Sequence, residues 1–354
     1  MQRPTPTIAW LTPDQVGAVR HLAETANLDI THAGCPEPTL GTAVAQALNV
    51  PAATDLRAAI ATATEGLVLI ASPGAFAGPG TMSRTDAEEL DAARDRGVKV
   101  VTLEPLPGAL VQLAEIGHAA STPTGPARGL PGAWCEYLPL ARLAPRVLDL
   151  GDVLEHLGRV RSVRISVVGP ARAGTLGARL LDAIDLAHRL LGVPESVFAA
   201  YTGTEAGPLH ALPGQSLRDL HGDICATLVY DAGTAASLHV SNRAGRYTIE
   251  ATVLGANGRV SISDDRLLWL DADGNNIDAP GQATELPTLD PAQMPDAFWL
   301  FMLTTQINNY ISTGGGQMNQ LDYPRLLATA QAALLSSRTG EPESPATMLK
   351  LAGA

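Results

Sequence analysis

The sequence has few aromatic residues, 4% of its 354. Alanine, leucine and valine must therefore fill its cores. Cysteine is scarce as well: Cys35, Cys135 and Cys225 are far apart and odd in number. That pattern excludes a disulfide framework and a zinc site built on paired Cys-x-x-Cys ligands. It fits a reducing compartment, so a cytoplasmic location is expected. Basic clusters are missing. The net charge is −12, and the densest basic group, Arg159, Arg161 and Arg164, reads as a strand with alternating polar positions. Partners built on a phosphate backbone call for a basic stripe, so nucleic acid is not an expected partner. No apolar run approaches the roughly 20 residues of a membrane span. The opening MQRPTPTIAWL lacks the apolar stretch of a secretory signal. No membrane partner is expected.

Apolar residues make up 45% of the chain, enough for two cores. Its length fits two domains of about 100–200 residues each. The first half alternates strand and helix. Strands are expected at Thr7–Leu11, Leu28–Ala33, Gly66–Ala71 and Val98–Leu103. Helices are expected from Pro13 to about Ala26, then at Leu40–Asn49, Asp55–Thr64 and Asp86–Arg96. GLVLIA (Gly66–Ala71) is continuously apolar, as in a strand covered on both faces. This order predicts an α/β domain with a doubly wound parallel sheet.

A stretch rich in proline and glycine, Ser121–Ala133, then breaks the pattern. The expected domains are 1–122 and 123–354. Beyond the break come a helix at Leu143–Leu157, a half-exposed strand at Val160–Val168 and an apolar helix at Leu176–Leu191 ended by Gly192. Strands follow at Ser196–Tyr201, Asp223–Tyr230, Thr234–Asn242, Tyr247–Leu254, Arg259–Ser263 and Arg266–Asp271. Hairpin-like turns such as Asp231-Ala232-Gly233 and Asn257-Gly258 join several of them. The second domain should therefore be α+β with a large mixed or antiparallel sheet. Helices at about Ala292–Ser312 and Tyr323–Thr339 close the chain. Asp271–Asn276 has calcium-loop spacing only in part: its glycine comes early and Gln282 stands at the twelfth position, so a hairpin turn is expected. Gly314-Gly315-Gly316 lies between the last two helices, not after a strand, and reads as a loop.

Several stretches together resemble one family. They are VPAATDLRAAI (Val50–Ile60), GLVLIASP (Gly66–Pro73), GVKVVTLEPLPGAL (Gly97–Leu110) and LAPRVLDLGDVLEHLGRVRSVRIS (Leu143–Ser166). DLAHRLLG (Asp185–Gly192), ATLVYDAGTAASLHVSN (Ala226–Asn242), VLGANGRVSISD (Val253–Asp264) and SSRTGEP (Ser336–Pro342) continue the series in order. On these the chain resembles the glucose-fructose oxidoreductase / inositol dehydrogenase / MocA (Gfo/Idh/MocA) family over nearly its whole length. The resemblance implies a Rossmann-like domain followed by a mixed-sheet domain whose large sheet often forms oligomer contacts. It implies NAD(P) as cofactor, a sugar- or cyclitol-type ligand and a homo-oligomer assembled through the C-terminal sheet.

By position the resemblance assigns Thr12, Cys35, Ser72, Pro73 and Glu104 to cofactor binding. The candidate catalytic residues are Asp182, Asp185, Glu104 and His188, and no metal is expected. The residue types at these positions depart from the family's. A dinucleotide site needs glycines for close approach to the pyrophosphate and a helix N-terminus aimed at it. Here the first strand runs into Thr12-Pro13-Asp14-Gln15-Val16-Gly17, and only Gly17 remains, near the third-glycine position. Pro13 lacks an N–H, and Asp14 puts a carboxylate where the helix dipole favours an anion. The same residues also form an ordinary helix cap. Cys35 stands where an acid would hold the ribose. Glu37, two residues on, is either a substitute or a solvated carboxylate. Glu104 is followed by Pro105 where the family has lysine.

On the long helix the family's histidine position falls on Asp182 and its earlier aspartate on Ala178, while Asp185 is matched. His188 is six residues off that register. Arg179, Asp182, Asp185, His188 and Arg189 share one side of this helix. Two readings stay open. In one, Asp182 and Asp185 line the interdomain cleft and bind a polyol or share a proton. In the other, they form a solvated ion-pair ladder with Arg179 and Arg189. Three functions are compatible with this. One is a ligand-binding or regulatory member with degenerate sites. A second is an active NAD(P)-dependent oxidoreductase using replacement residues. The third is a different reaction in the reused cleft around Asp182, Asp185 and Glu104.

Overall fold

A computed structural model describes residues 3–76, 82–113, 135–203, 216–218, 220–264, 266–277, 296–313 and 321–352. The chain divides into two compact units. The first comprises Met1–Leu138, Leu303–Pro324 and Ala352–Ala354; the second comprises Pro139–Met302 and Arg325–Leu351. The boundary expected at 122/123 lies outside the described residues, as do Gly314–Gly316 and Gln282.

The first unit is built on a parallel sheet of five strands in the order β2-β1-β3-β4-β5. They are β1 (Thr5–Trp10), β2 (Leu28–Gly34), β3 (Leu67–Ile70), β4 (Lys99–Thr102) and β5 (Glu136–Tyr137). All four pairings are parallel. Helices α1 (Val16–Thr25), α2 (Pro38–Leu48), α3 (Leu56–Thr62) and α4 (Met82–Asp95) connect them. Strand β3 is buried along its whole length, which is why it reads as an unbroken apolar run. Helix α3 starts at an Asp55 cap, whose carboxylate accepts from the N–H groups of Arg57 (2.7 Å) and Ala58 (3.1 Å). The chain leaves β1 for β2 on one side and later reaches β3 on the other. The strand order therefore reverses between β1 and β3, the switch point at which ligands bind in such sheets.

The second unit carries an eight-stranded sheet, ordered β13-β12-β11-β10-β6-β9-β8-β7. The strands are β6 (Val160–Val168), β7 (Ser196–Gly203), β8 (Gly222–Val229), β9 (Ala235–Ser241), β10 (Thr248–Gly255), β11 (Gly258–Ile262), β12 (Leu267–Asp271) and β13 (Asn276–Ile277). Only β6 and β9 pair in parallel; the rest are antiparallel, so the sheet is mixed. One face alternates inward, with Val163, Ile165 and Val167 beside Leu238 and Val240. Helix α5 (Pro145–Leu154) lies against β11 and β12, and helix α6 (Leu176–Leu191) packs across β6 and β9. Thr175 caps the start of α6, and Gly192 ends it with φ +83°. Helices α7 (Ala297–Thr313), α8 (Tyr323–Thr339) and α9 (Pro345–Leu351) complete the described chain. Asp271 accepts from the N–H groups of Asp273 and Asn275 and from the Asn275 amide, which makes its loop the turn between β12 and β13. No helix among the described residues is long and apolar enough to cross a membrane.

Candidate functional site

In the first unit, every residue assigned to cofactor binding follows the carboxyl end of a strand. Thr12 follows β1, Cys35 follows β2, Ser72 and Pro73 follow β3, and Glu104 follows β4. The sheet thus gathers all five along one edge. The centre of that edge is filled by a residue that sequence reasoning passed over. Gln15 is buried, and its side chain spans the switch point. Its Oε1 accepts from the Thr12 N–H (3.0 Å), and its Nε2 donates to the Ala71 carbonyl (3.4 Å). The Thr12 hydroxyl donates to the Asp14 carboxylate. Thr12-x-x-Gln15 has the spacing of half a capping box, the signal that could have revealed it.

The loops after β2 and β3 meet beside this plug. A Cβ placed on Gly74 would lie 2.4 Å from Cβ of Pro36. A Cβ on Gly17, in contrast, would meet nothing within 4 Å, so no neighbouring protein group requires glycine there. The edge is also acidic. Burial pushes the Cys35 thiol up, and the carboxylates of Glu37 and Asp14 push it further, against an opposing backbone hydrogen bond. Glu104 is buried, and its backbone is tied by Thr102, which accepts from the Glu104 N–H (3.0 Å) and donates to its carbonyl (2.8 Å). A pyrophosphate needs free N–H groups and an uncrowded backbone. Here the Thr12 N–H is taken, Pro13 has none, and Asp14 and Glu37 would oppose the charge.

In the second unit, α6 brings Arg179, Asp182 and Asp185 together, and all three are buried, at 1%, 1% and 4% exposure. This corrects the solvated-ladder reading. The carboxylates also bond to groups outside the helix, although the Arg189 charge still acts on Asp185. Asp182 accepts from the Leu140 N–H (3.1 Å). Asp185 is held by both arms of Arg142, each at 2.8 Å. Arg189 donates to the Arg142 carbonyl (2.9 Å), and Arg179 lies over the Tyr247 ring, 4.4 Å from its centroid. Local spacing misses Arg142 because it is 43 residues away from Asp185. Burial raises the Asp185 carboxyl above its ordinary range, with Arg142 pulling the other way. Such a carboxyl suits proton transfer only if it is released from the Arg142 fork. His188 shares a hydrogen bond with the Thr329 hydroxyl (3.1 Å). Among the described residues no three His, Cys, Asp or Glu side chains group as a metal site.

No family model matches the sequence, and no curated protein does. Solved structures do match. Levoglucosan dehydrogenase in complex with NADH and levoglucosan aligns with TM-score 0.65 and 15% identity, covering 97% of this chain and 99% of that one. GenD2 from gentamicin A biosynthesis, in complex with NAD, aligns with TM-score 0.62 and 19% identity, covering 97% of each. Myo-inositol 2-dehydrogenase from Lactobacillus plantarum aligns with TM-score 0.61 and 18% identity, covering 97% and 99%. With its parallel five-stranded sheet and its mixed eight-stranded sheet, the chain has the fold of the Gfo/Idh/MocA-type oxidoreductases.

Proposed function

We propose that this protein keeps an oxidoreductase fold without dehydrogenase chemistry, and works as a ligand-binding or regulatory protein for a sugar- or cyclitol-type molecule. The observation behind this reading is the self-filled switch point. Gln15 bridges Thr12 and Ala71, and Pro36 abuts Gly74, where a dinucleotide would have to enter. The state of Asp182 and Asp185 agrees, since both carboxylates are committed to partners within their own unit. The ligand class rests on the structural neighbours, a levoglucosan dehydrogenase bound to levoglucosan and a myo-inositol 2-dehydrogenase.

The test is a titration with NADH and NADPH, followed by nicotinamide fluorescence and by heat. No saturation is expected up to about 1 mM, the weak end of ordinary cofactor affinity. Saturable binding in the micromolar range would overturn the proposal. It would favour the active oxidoreductase instead, a reading supported by the NAD complexes of the neighbours.

The protein is further proposed to assemble as a homo-oligomer through the outer face of the eight-stranded sheet. That face exposes Phe198, Val229 and Leu254, together with Cys225. Cys35 and Cys135 are buried and their thiols pushed up, so they should resist alkylation. In dilute protein Cys225 is expected to react with iodoacetamide at least about tenfold faster than either. Raising the protein concentration should then protect Cys225. Labelling of Cys225 that is independent of concentration, with a monomeric mass in solution, would reject assembly through this face.

A further inference from the structure

A second concavity lies in the first unit, away from the switch point. Strand β2 carries a bulge. Thr7 pairs with Ile30 and the next residue, Ile8, with His32, so Thr31 is extra and opens the pairing. Thr31 is held by donating its hydroxyl to the Thr7 carbonyl (3.2 Å). Beside the bulge α3 presents small residues, Ala58 and Ala59, over Pro6 and Ile8 of β1. The result is a cavity of about 440 Å³. That lies within the range of small-molecule sites, roughly 300–1,000 Å³. It reaches from Pro6, near the start of β1, to Glu65, just before β3. It runs along α3 from Ala52–Asp55, beside Ala33 near the end of β2, and none of the residues Thr12, Gln15, Cys35, Ser72, Pro73 or Glu104 lines it.

The lining selects its ligand. Pro6, Ile8 and the alanines supply apolar surface, and Thr31, Thr54, Thr62 and Thr64 line the cavity beside them. The ionisable groups are Asp55, Glu65 and His32, with no lysine or arginine among the lining residues. One Asp55 oxygen caps α3, which leaves the exposed Glu65 as the freer carboxylate. Phosphates and carboxylates find no counter-charge there. We propose that this cavity binds a small organic amine, with a compact hydrocarbon body against Pro6 and Ile8 and its ammonium group paired with Glu65.

The experiment titrates the full-length protein with cyclohexylammonium, cyclohexanol and cyclohexanecarboxylate, and follows the methyl NMR signals of Ile8 and Ala58. Cyclohexylammonium is expected to shift both signals saturably and to bind more tightly than the alcohol, with the carboxylate weakest. Glu65→Gln should weaken the ammonium about two- to fivefold, the size of one exposed ion pair, and leave the alcohol unchanged. Ala58→Leu, at an exposed helix position, should fill the cavity and weaken both ligands at least about tenfold with the melting temperature kept. Equal binding of carboxylate and ammonium, unaltered binding in Ala58→Leu, or no shift at tens of millimolar would each overturn the proposal.

Discussion

Truncating Asp185 to alanine is expected to destabilise the protein by about 3–5 kcal/mol, the range for breaking one side of a buried pair. The side chains of Arg142 and Asp185 are only 13% and 5% exposed. Removing the carboxylate takes away the charged acceptor of two guanidinium donors on a largely buried side chain. The intact pair, however, is not a strong net contributor. Burial opposes the Asp185 charge more than Arg142 favours it, which is why the carboxyl is raised. The double variant Arg142→Met with Asp185→Leu should therefore regain most of the loss, and end near wild type or above it.

The raised carboxyl also fixes the sign of a pH effect. Unfolded, it titrates near 3.9; folded, it keeps its proton to higher pH. Its contribution favours the folded state below about pH 4 and is lost as pH rises through the raised folded value. The double variant should lack that slope. Urea midpoints across pH for wild type, single and double variants decide the matter. If the double variant is as unstable as Asp185→Ala, the pair is a net stabiliser and the desolvation argument fails.

Replacing Gly177 with alanine should also destabilise, against its helix propensity. Alanine in a helix interior is favoured over glycine by about 0.8–1 kcal/mol. At Gly177 a Cβ would lie 2.1 Å from the Leu217 carbonyl oxygen and 3.0 Å from Leu217 Cβ. A backbone atom cannot swing aside as a side-chain tip can, so α6 and the Leu217 segment must separate. A net loss of about 1–3 kcal/mol follows, as for overpacked cores. Gly151 in α5 is the control, because a Cβ there meets nothing within 4 Å. Gly151→Ala should stabilise by about 0.5–1 kcal/mol. Opposite signs in the two melting curves support the packing argument. A gain at Gly177 would mean that the Leu217 contact is soft.

Most elements are legible in the sequence because their signals are local. The four apolar residues of β3 stand between Gly66 and Ala71, and α6 runs from Leu176 to Leu191, as its apolar run and Gly192 predict. Strand β6 spans Val160–Val168, as its alternating pattern predicts. Short elements leave no such signal, β13 (Asn276–Ile277) among them. Strand β5 has only Glu136 and Tyr137, too few for a period, and α9 is a seven-residue helix that starts at Pro345. The resemblance points to Thr12, Cys35, Ser72, Pro73 and Glu104, and each follows the carboxyl end of a strand.

What fills that edge was only partly readable. Thr12-x-x-Gln15 is a local pattern, but the second anchor of Gln15, the Ala71 carbonyl, lies 56 residues on. The charges of α6 behave likewise. Periodicity placed Arg179, Asp182 and Asp185 on one side of a helix and said nothing of Arg142 or the Leu140 N–H. By itself the sequence determined the strand–helix order, the parallel and mixed sheets, and which residues follow each strand, since propensity, capping and hydrophobic period act within a few residues. The tertiary structure alone decided that the switch point is plugged and the helix carboxylates are buried and paired, since burial and ion pairing depend on segments that only the fold brings together.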